Sequence, residues 1–558
     1  MAERGLFGGV FARGGADTGD QAWLTAMLQT EAALARALER AGLAPPGAGA
    51  AVTEAARAAA IDAAELGRQA ALTGNPVPAL VRALARCVPA YAAAAVHKGA
   101  TSQDIIDTAA MLLARRALAA AAADMAAAAD ATAALAARHR DTVMIGRTLL
   151  QQAVPVTFGL VTAGWLTGLD EARAGLDRVR AGRLAVQFGG AAGTLASLGA
   201  DGPRVAALLA DELGLPLPVL PWHTDRLRIL EVAASCAGAA AVLGKIARDV
   251  TLLAQSEVAE VREGESEVRE GGPEVAEVRE GDGPGAGARR GGSSAMPHKR
   301  NPVAAIAILG CTRQVPGLLA TLTAAAEQEH QRAAGAWHSE WEPLSGLLRL
   351  TGSAASWGAE LLAGLTADPA RMRANLDAAG GFPLAERVSG LLAPAVGAVA
   401  AHDLVAEASA VATAAGQPLR TALLGHPDLR GRLGRRGRHP GPGRGRPGPG
   451  QLSRRGRRIR RRRPGRAPGR GGLTRHISAY PWRPWPRMRD DCRKGPEEVP
   501  IARAGMAGGG ALVVRPCVPA CALGSVPARR NPPPAPEGQH GRRQPRSAGD
   551  HGPPGGAR

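Results

Sequence analysis

Three stretches of this 558-residue sequence interrupt an Ala- and Leu-rich background with residues able to hold carboxylates and move protons. The first, HKGATSQDIIDTA, runs from His97 to Ala109. Thr101 and Ser102 open a helical pattern, where free backbone N–H groups and hydroxyls suit a carboxylate ligand. The same residues also make an ordinary N-cap, and the sequence leaves both readings open. The second stretch, IGRTLLQQAVPVTFG, places Arg147, Thr148, Gln151 and Gln152 close together, just before what reads as a Pro-containing helix. An Arg fork matches a carboxylate bidentately, although a surface Arg is the plainer reading. The third, GGSSAMPHKRNPV, runs from Gly291 to Val303. Its glycines and small polar residues form a loop, and Asn-Pro-Val starts a new helix. Backbone N–H groups of the loop and of that helix start, the charge of Lys299 and a hydroxyl from Ser293 or Ser294 can together grip an anion.

These residues need a frame, and the sequence supplies one made of helices. In DQAWLTAMLQTEAALARALERAG, Trp23, Met27, Leu28, Ala32, Leu34 and Leu38 recur at helical spacing, with Asp20 as the expected N-cap and Gly42 as the stop. The pattern continues from Asp104 for about ten turns, again over Thr224–Val261, and over much of Pro302–Leu365. Few segments alternate with period two. The expected fold is all-α: an N-terminal helical domain (1–100), a central helical bundle (101–350) with a loop at 263–300, and a C-terminal helical domain (351–430). Ala lets helix axes approach closely. With aromatics at 3%, such helices bury little apolar area each, so further burial against other subunits is expected.

The formal charge of +19 is unevenly placed. Residues 431–558 hold 30 of the 68 Lys and Arg but 6 of the 49 Asp and Glu, leaving 38 and 43 in the first 430 residues. The body is mildly acidic, and the basic character belongs to the tail. That tail, rich in Arg, Gly and Pro, has no apolar period and is expected to be disordered. It reads either as a nucleic-acid-binding arm or, better matching its abrupt onset, as GC-rich codons read out of frame. The six cysteines form no CxxC pair, so neither a zinc site nor a disulfide framework is expected. The N-terminus lacks the apolar core of a signal peptide, and no run reads as long enough to cross a bilayer. A cytoplasmic location is the expectation.

Ahead of the third stretch, EVAEVREG occurs at Glu257–Gly264 and again at Glu274–Gly281, an offset of 17 residues. Two copies are too few for a solenoid, and a local duplication is the reading.

The loop GGSSAMPHKRNP resembles the signature loop of the fumarase/aspartase superfamily, and the other two stretches resemble that superfamily's remaining active-site regions, in the same order. The likeness covers roughly residues 5–430. GNPVPALVRAL, QFGGAAGTLASLG, LPWHTDRLRILE and WHSEWEPLSGLLRLTGSA are similar to the 3-carboxy-cis,cis-muconate cycloisomerase branch. The competing branch is adenylosuccinate lyase. Similar lyases carry His after the Arg-Thr of the second region, where this chain has Leu149, and an acid soon after Asn-Pro, where this chain has only apolar residues. An amine-releasing lyase needs a general acid. A carboxylate that adds to an alkene has a pKa of about 4 and needs none.

The resemblance implies a cofactor- and metal-independent reaction on a small tricarboxylate in protocatechuate breakdown. Ser293 would transfer the proton and Lys299 would stabilise charge. His97, Thr101, Ser102, Arg147, Thr148, Gln151, Asn301 and, with a structural role equally open, His223 would line the substrate site. It also implies a homotetramer whose three regions come from three subunits. An inactive relative with a nucleic-acid-binding tail is the reading from outside enzymology.

Overall fold

The computed structural model describes residues 6–15, 17–264, 292, 296 and 298–429. Ser293, Ser294, the second EVAEVREG copy and the basic tail lie outside the described residues. The chain divides into two units, Met1–Arg444 and Gly445–Arg558, and every described residue belongs to the first.

The architecture is the expected all-α one. Its axis is the helix Ser102–Arg138, 37 residues and so about 55 Å long at 1.5 Å per residue. Ala-rich sequence favours the helical state throughout. Thr101 and Asp104 start it as a capping box, each side chain bonded to the other's backbone N–H. Every residue from Gln103 to Ala114 is buried; beyond, burial narrows to a stripe through Ala117, Leu118, Ala121, Met125, Ala128, Thr132 and Leu135. Leu113 sits 1% exposed in the first part, and truncating it to Ala would cost about 2–5 kcal/mol.

Against this axis pack the helices Phe158–Gly182, Trp341–Gly364 and Asp20–Arg40, and Leu227–Leu253 and Val303–Thr312 complete the bundle against one another and against Trp341–Gly364. Small residues set the spacing. A Cβ at Gly358 would lie 2.7 Å from Leu243 Cδ2, so Trp341–Gly364 meets Leu227–Leu253 where a side chain has no room. One apolar core runs from Leu24 to Met372 without a break at residue 100; Ala408, Ala412, Leu419 and Ala422 form a separate small cluster.

Four expectations are corrected. Gly19, not Asp20, is the N-cap of the first long helix, while Gly42 turns the chain with φ +77° as expected. The helix expected over Thr224–Val261 ends at Leu253, and Val261–Arg262 pairs as a strand with Thr366–Ala367. The second chemical stretch precedes no Pro-containing helix: it is an antiparallel hairpin, Val143–Thr148 with Gln151–Thr157, built on Ile145, Val154, Val156 and Thr157. Pro155 sits opposite Ile145, beside the register shift at Gly146, where an irregular ladder tolerates a missing N–H. Lastly, Leu227–Leu253 and Val303–Ala325 are long and apolar enough to span a bilayer. Ile229, Val232, Cys236, Leu243 and Val250 of the former are buried in the bundle, where a core helix needs the same composition.

Candidate active site

At the N-terminal end of the long helix, Asp104 closes the capping box by accepting the Thr101 N–H at 3.0 Å. Thr101's own side chain is thereby committed to the cap. Ser102 is half-buried, and no hydrogen bond within the described residues engages its hydroxyl. The two readings of this motif therefore divide between its residues: Thr101 caps, and Ser102 stays available to a ligand.

His97 stands just before this helix start with φ +57°, the left-handed region that L-residues avoid. Glu31, fully buried on Asp20–Arg40, holds it there by accepting the His97 N–H at 3.0 Å and bonding Nδ1 at 2.7 Å. Burial pulls the imidazole pKa down, but the hydrogen bond and charge of Glu31, with the charge of Asp104, outweigh it and leave the pKa raised. With Nδ1–H committed to Glu31, Nε2 is the nitrogen that can face a substrate.

His223 lies on the same end, but not as a substrate contact. It is 4% exposed, its Nε2 donates to Asp104 Oδ1 at 2.7 Å, and its carbonyl accepts from Gln103 Nε2 at 2.8 Å. A histidine so enclosed fits the structural one of the two roles that the sequence leaves open for it.

Arg147 comes from the hairpin. Gly146 makes its strand possible: a Cβ there would sit 2.6 Å from the Val154 carbonyl oxygen. The Arg147 fork is bidentate as expected, but its partner is Glu260, at 2.9 and 3.0 Å, with the glutamate fully buried. Asn375 Nδ2 adds a bond to Glu260 at 2.9 Å. Thr148 and Gln151 flank the tip and are exposed. The tip itself is Leu149-Leu150, with φ +52° and +65° and exposures of 95% and 69%. A two-residue turn with both φ positive normally takes Asn-Gly, so two leucines there are strained.

The third region begins where Glu263 accepts the N–H groups of Ala304 and Ala305 at 3.1 and 2.9 Å. The anion gripped by the helix start Val303–Thr312 is thus the chain's own carboxylate, which corrects the expectation that this helix start is open to a ligand. Gly292 and Arg300 form an isolated antiparallel bridge that closes the base of the signature segment. Lys299 is exposed and Asn301 half-buried beside it. Glu260 and Glu263 belong to the first EVAEVREG copy, which is thereby bound into the fold.

One chain does not unite these parts. Ser102 starts the 37-residue helix and the hairpin follows its end, about 55 Å away. Even a six-residue strand folded straight back would recover only about 20 Å of that. Arg147 and the Val303–Thr312 helix start do share an end, because Glu260 and Glu263 hold one each.

A family model described as lyase matches residues 17–273. A 3-carboxy-cis,cis-muconate cycloisomerase from Bradyrhizobium diazoefficiens is 46% identical over 407 residues, covering 72% of this chain and 86% of the relative. The chain belongs to the lyase family of the fumarase/aspartase superfamily. A nitrosuccinate lyase from Streptomyces davaonensis is also 46% identical, over 421 residues, 74% of this chain and 84% of the relative. The crystal structure of the 3-carboxy-cis,cis-muconate lactonizing enzyme from Pseudomonas putida matches with a TM-score of 0.67 at 40% identity, covering 76% of this chain and 92% of that one. In this superfamily member, sequence reasoning missed Glu31, Asp104, Glu260 and Glu263. Asp104 was findable as the fourth residue of Thr-x-x-Asp. The others are paired by contacts between distant segments that no local pattern signals.

Proposed function

We propose that this chain is a cofactor-independent 3-carboxy-cis,cis-muconate cycloisomerase, forming the 4-carboxymuconolactone in protocatechuate catabolism, in the cytoplasm, as a homotetramer. The observation that carries the reading is the likeness to enzymes of that name over most of their length, 46% identity across 86% of the Bradyrhizobium diazoefficiens protein. The side chains fit the chemistry. A substrate carboxylate oxygen adds to an alkene carbon, and the electron pair moves onto the neighbouring carboxyl-bearing carbon as an enediolate. His97, whose pKa the hydrogen bond and charge of Glu31 raise, and the Ser102 hydroxyl are suited to that growing negative charge, because donors fixed in advance need not reorganise. Lys299 adds a positive charge from the signature segment. The Ser293 hydroxyl then delivers a proton to carbon and regains one from solvent, completing addition of C–O and C–H across one double bond. Position 149 offers no proton, and a carboxylate nucleophile or leaving group requires none. Assembly from several subunits is supported by the 37-residue helix, about 55 Å long, that lies between Ser102 and the Arg147 hairpin in one chain.

A second reading has its own support in the 46% identity to the Streptomyces davaonensis nitrosuccinate lyase. A nitro-substituted succinate would release nitrite, also a weakly basic anion, so Leu149 fits that elimination as well. Assays of purified protein with each compound separate the two: loss of the diene absorbance of 3-carboxymuconate, against release of nitrite. Nitrite release without muconate consumption overturns the cycloisomerase reading, and turnover of neither overturns both.

A further inference from the structure

One buried carboxylate joins three separate segments at the N-terminal end of the long helix. Asp104 is 1% exposed and accepts four hydrogen bonds. They come from the Thr101 N–H at 3.0 Å, the Gly189 N–H at 3.0 Å, the Gly190 N–H at 2.9 Å and His223 Nε2 at 2.7 Å. The receiving loop is shaped for this approach. Gly190 has φ +67°, and a Cβ on Gly189 would lie 2.7 Å from His223 Cε1. Behind Asp104, Arg332 bonds Gln103 Oε1 at 2.7 Å and the carbonyls of Gly190 and Ala191 at 3.1 and 2.8 Å. Gly190 is therefore held at its N–H by Asp104 and at its C=O by Arg332. Capping the helix requires only one of these four bonds, so three are in excess of what helix initiation demands.

We propose that Asp104 is a positioning residue for the reaction. Its carboxylate, with His223 behind it, locks the Ser102-bearing first turn to the Gly189–Gly190 loop, fixing the direction in which the Ser102 hydroxyl meets a substrate carboxylate. Asp104 itself is enclosed and touches no substrate. An anchor of this kind acts through placement, and a misplacement near 1 Å is enough for about a hundredfold loss of rate. The fold does not depend on it alone. Thr108 Oγ1 exchanges bonds with Gln187 N–H and C=O at 2.9 and 3.0 Å, and Asp107 pairs with Arg226 at 2.8 and 3.0 Å. These contacts hold the same loops one turn further along.

The inference rests on the site reading above, and the test keeps the two apart. It is a double-mutant cycle on kcat/KM with Asp104→Asn, Ser102→Ala and the double variant, using whichever of 3-carboxymuconate and nitrosuccinate the wild type turns over. Asp104→Asn keeps the shape but turns an NH2 towards the glycine N–H groups. The expected result is a loss of about 10- to 100-fold in each single variant, and a double variant no slower than the slower single, because Asp104 acts through Ser102. Faster amide hydrogen exchange over residues 186–195 accompanies it, with Leu227–Leu253 unchanged. Multiplying losses, or an Asp104→Asn variant as fast as wild type, overturn the positioning role. A Ser102→Ala variant with full activity overturns the site reading, and the inference with it. Should Asp104→Asn not fold, His223→Phe removes one bond of the four; a few-fold loss that vanishes in the Ser102→Ala background is expected, and a loss that persists there overturns the proposal.

Discussion

Glu31→Gln tests how far the site depends on a charge hidden beneath it. The substitution keeps the shape of a fully buried side chain and removes its charge. Glu31 now accepts from both the backbone N–H and Nδ1 of His97, at 3.0 and 2.7 Å. A single amide oxygen cannot serve both, so an NH2 must face one of the donors. Losing one charge-assisted hydrogen bond is worth about 1.5–3 kcal/mol. The left-handed backbone of His97, φ +57°, carries about 1–2 kcal/mol of strain that this pairing holds in place. If Nε2 grips the developing enediolate, the loss appears in kcat/KM as roughly 10- to 100-fold. The pH dependence has a definite sign. Folding raises the His97 pKa above its ordinary 6.5, so the pair's contribution to stability is fully present below pH 6.5 and disappears as pH rises through the raised value. In Glu31→Gln, burial acts against only the charge of Asp104, and the pKa falls. The alkaline limb of kcat/KM should move to lower pH, and a proton NMR titration of His97 should move with it. An unchanged rate with an unchanged alkaline limb would refute the role of His97 as a substrate-binding group whose pKa Glu31 raises.

Other perturbations address the opposite end of the bundle. Arg147→Ala strands the buried Glu260 carboxylate and should destabilise by about 3–5 kcal/mol in chemical denaturation. Adding Glu260→Ala should restore stability; activity returning with it would show that Arg147 is structural only. Replacing Leu149-Leu150 by Asn-Gly relieves left-handed strain of about 1–2 kcal/mol per residue. The melting temperature should rise while kcat/KM falls, and a rise in both would remove the tip from the site. Glu263→Ala leaves the Ala304 and Ala305 N–H groups uncapped and should cost about 1–2 kcal/mol in thermal melts. Because Lys299 and Asn301 lie directly ahead of that helix, kcat should fall more than stability alone explains. Deleting residues 265–281 removes one repeat and leaves Glu257–Gly264, with its Arg147 and Ala304 contacts, in place; turnover at or above the full-length rate is expected.

Local physics made much of this protein readable from its sequence. Helical periodicity and Ala content announced the bundle, because both act over a few neighbouring residues. The three chemical stretches stood out as polar islands, and Thr-x-x-Asp at 101–104 already contained its capping box. The hairpin was missed because Val143–Thr157 is short, and its pairing depends on a turn of two left-handed leucines that no propensity favours. What only the tertiary structure decided was the partner of each charged or polar group. The Arg147 fork meets Glu260, the helix start at Val303 gives two N–H groups to Glu263, and His223 is enclosed against Asp104. Spacing along a chain sets which residues share a turn of helix. Which carboxylate meets which guanidinium depends on segments more than a hundred residues apart being packed together, and on the desolvation that makes an unpaired buried charge untenable.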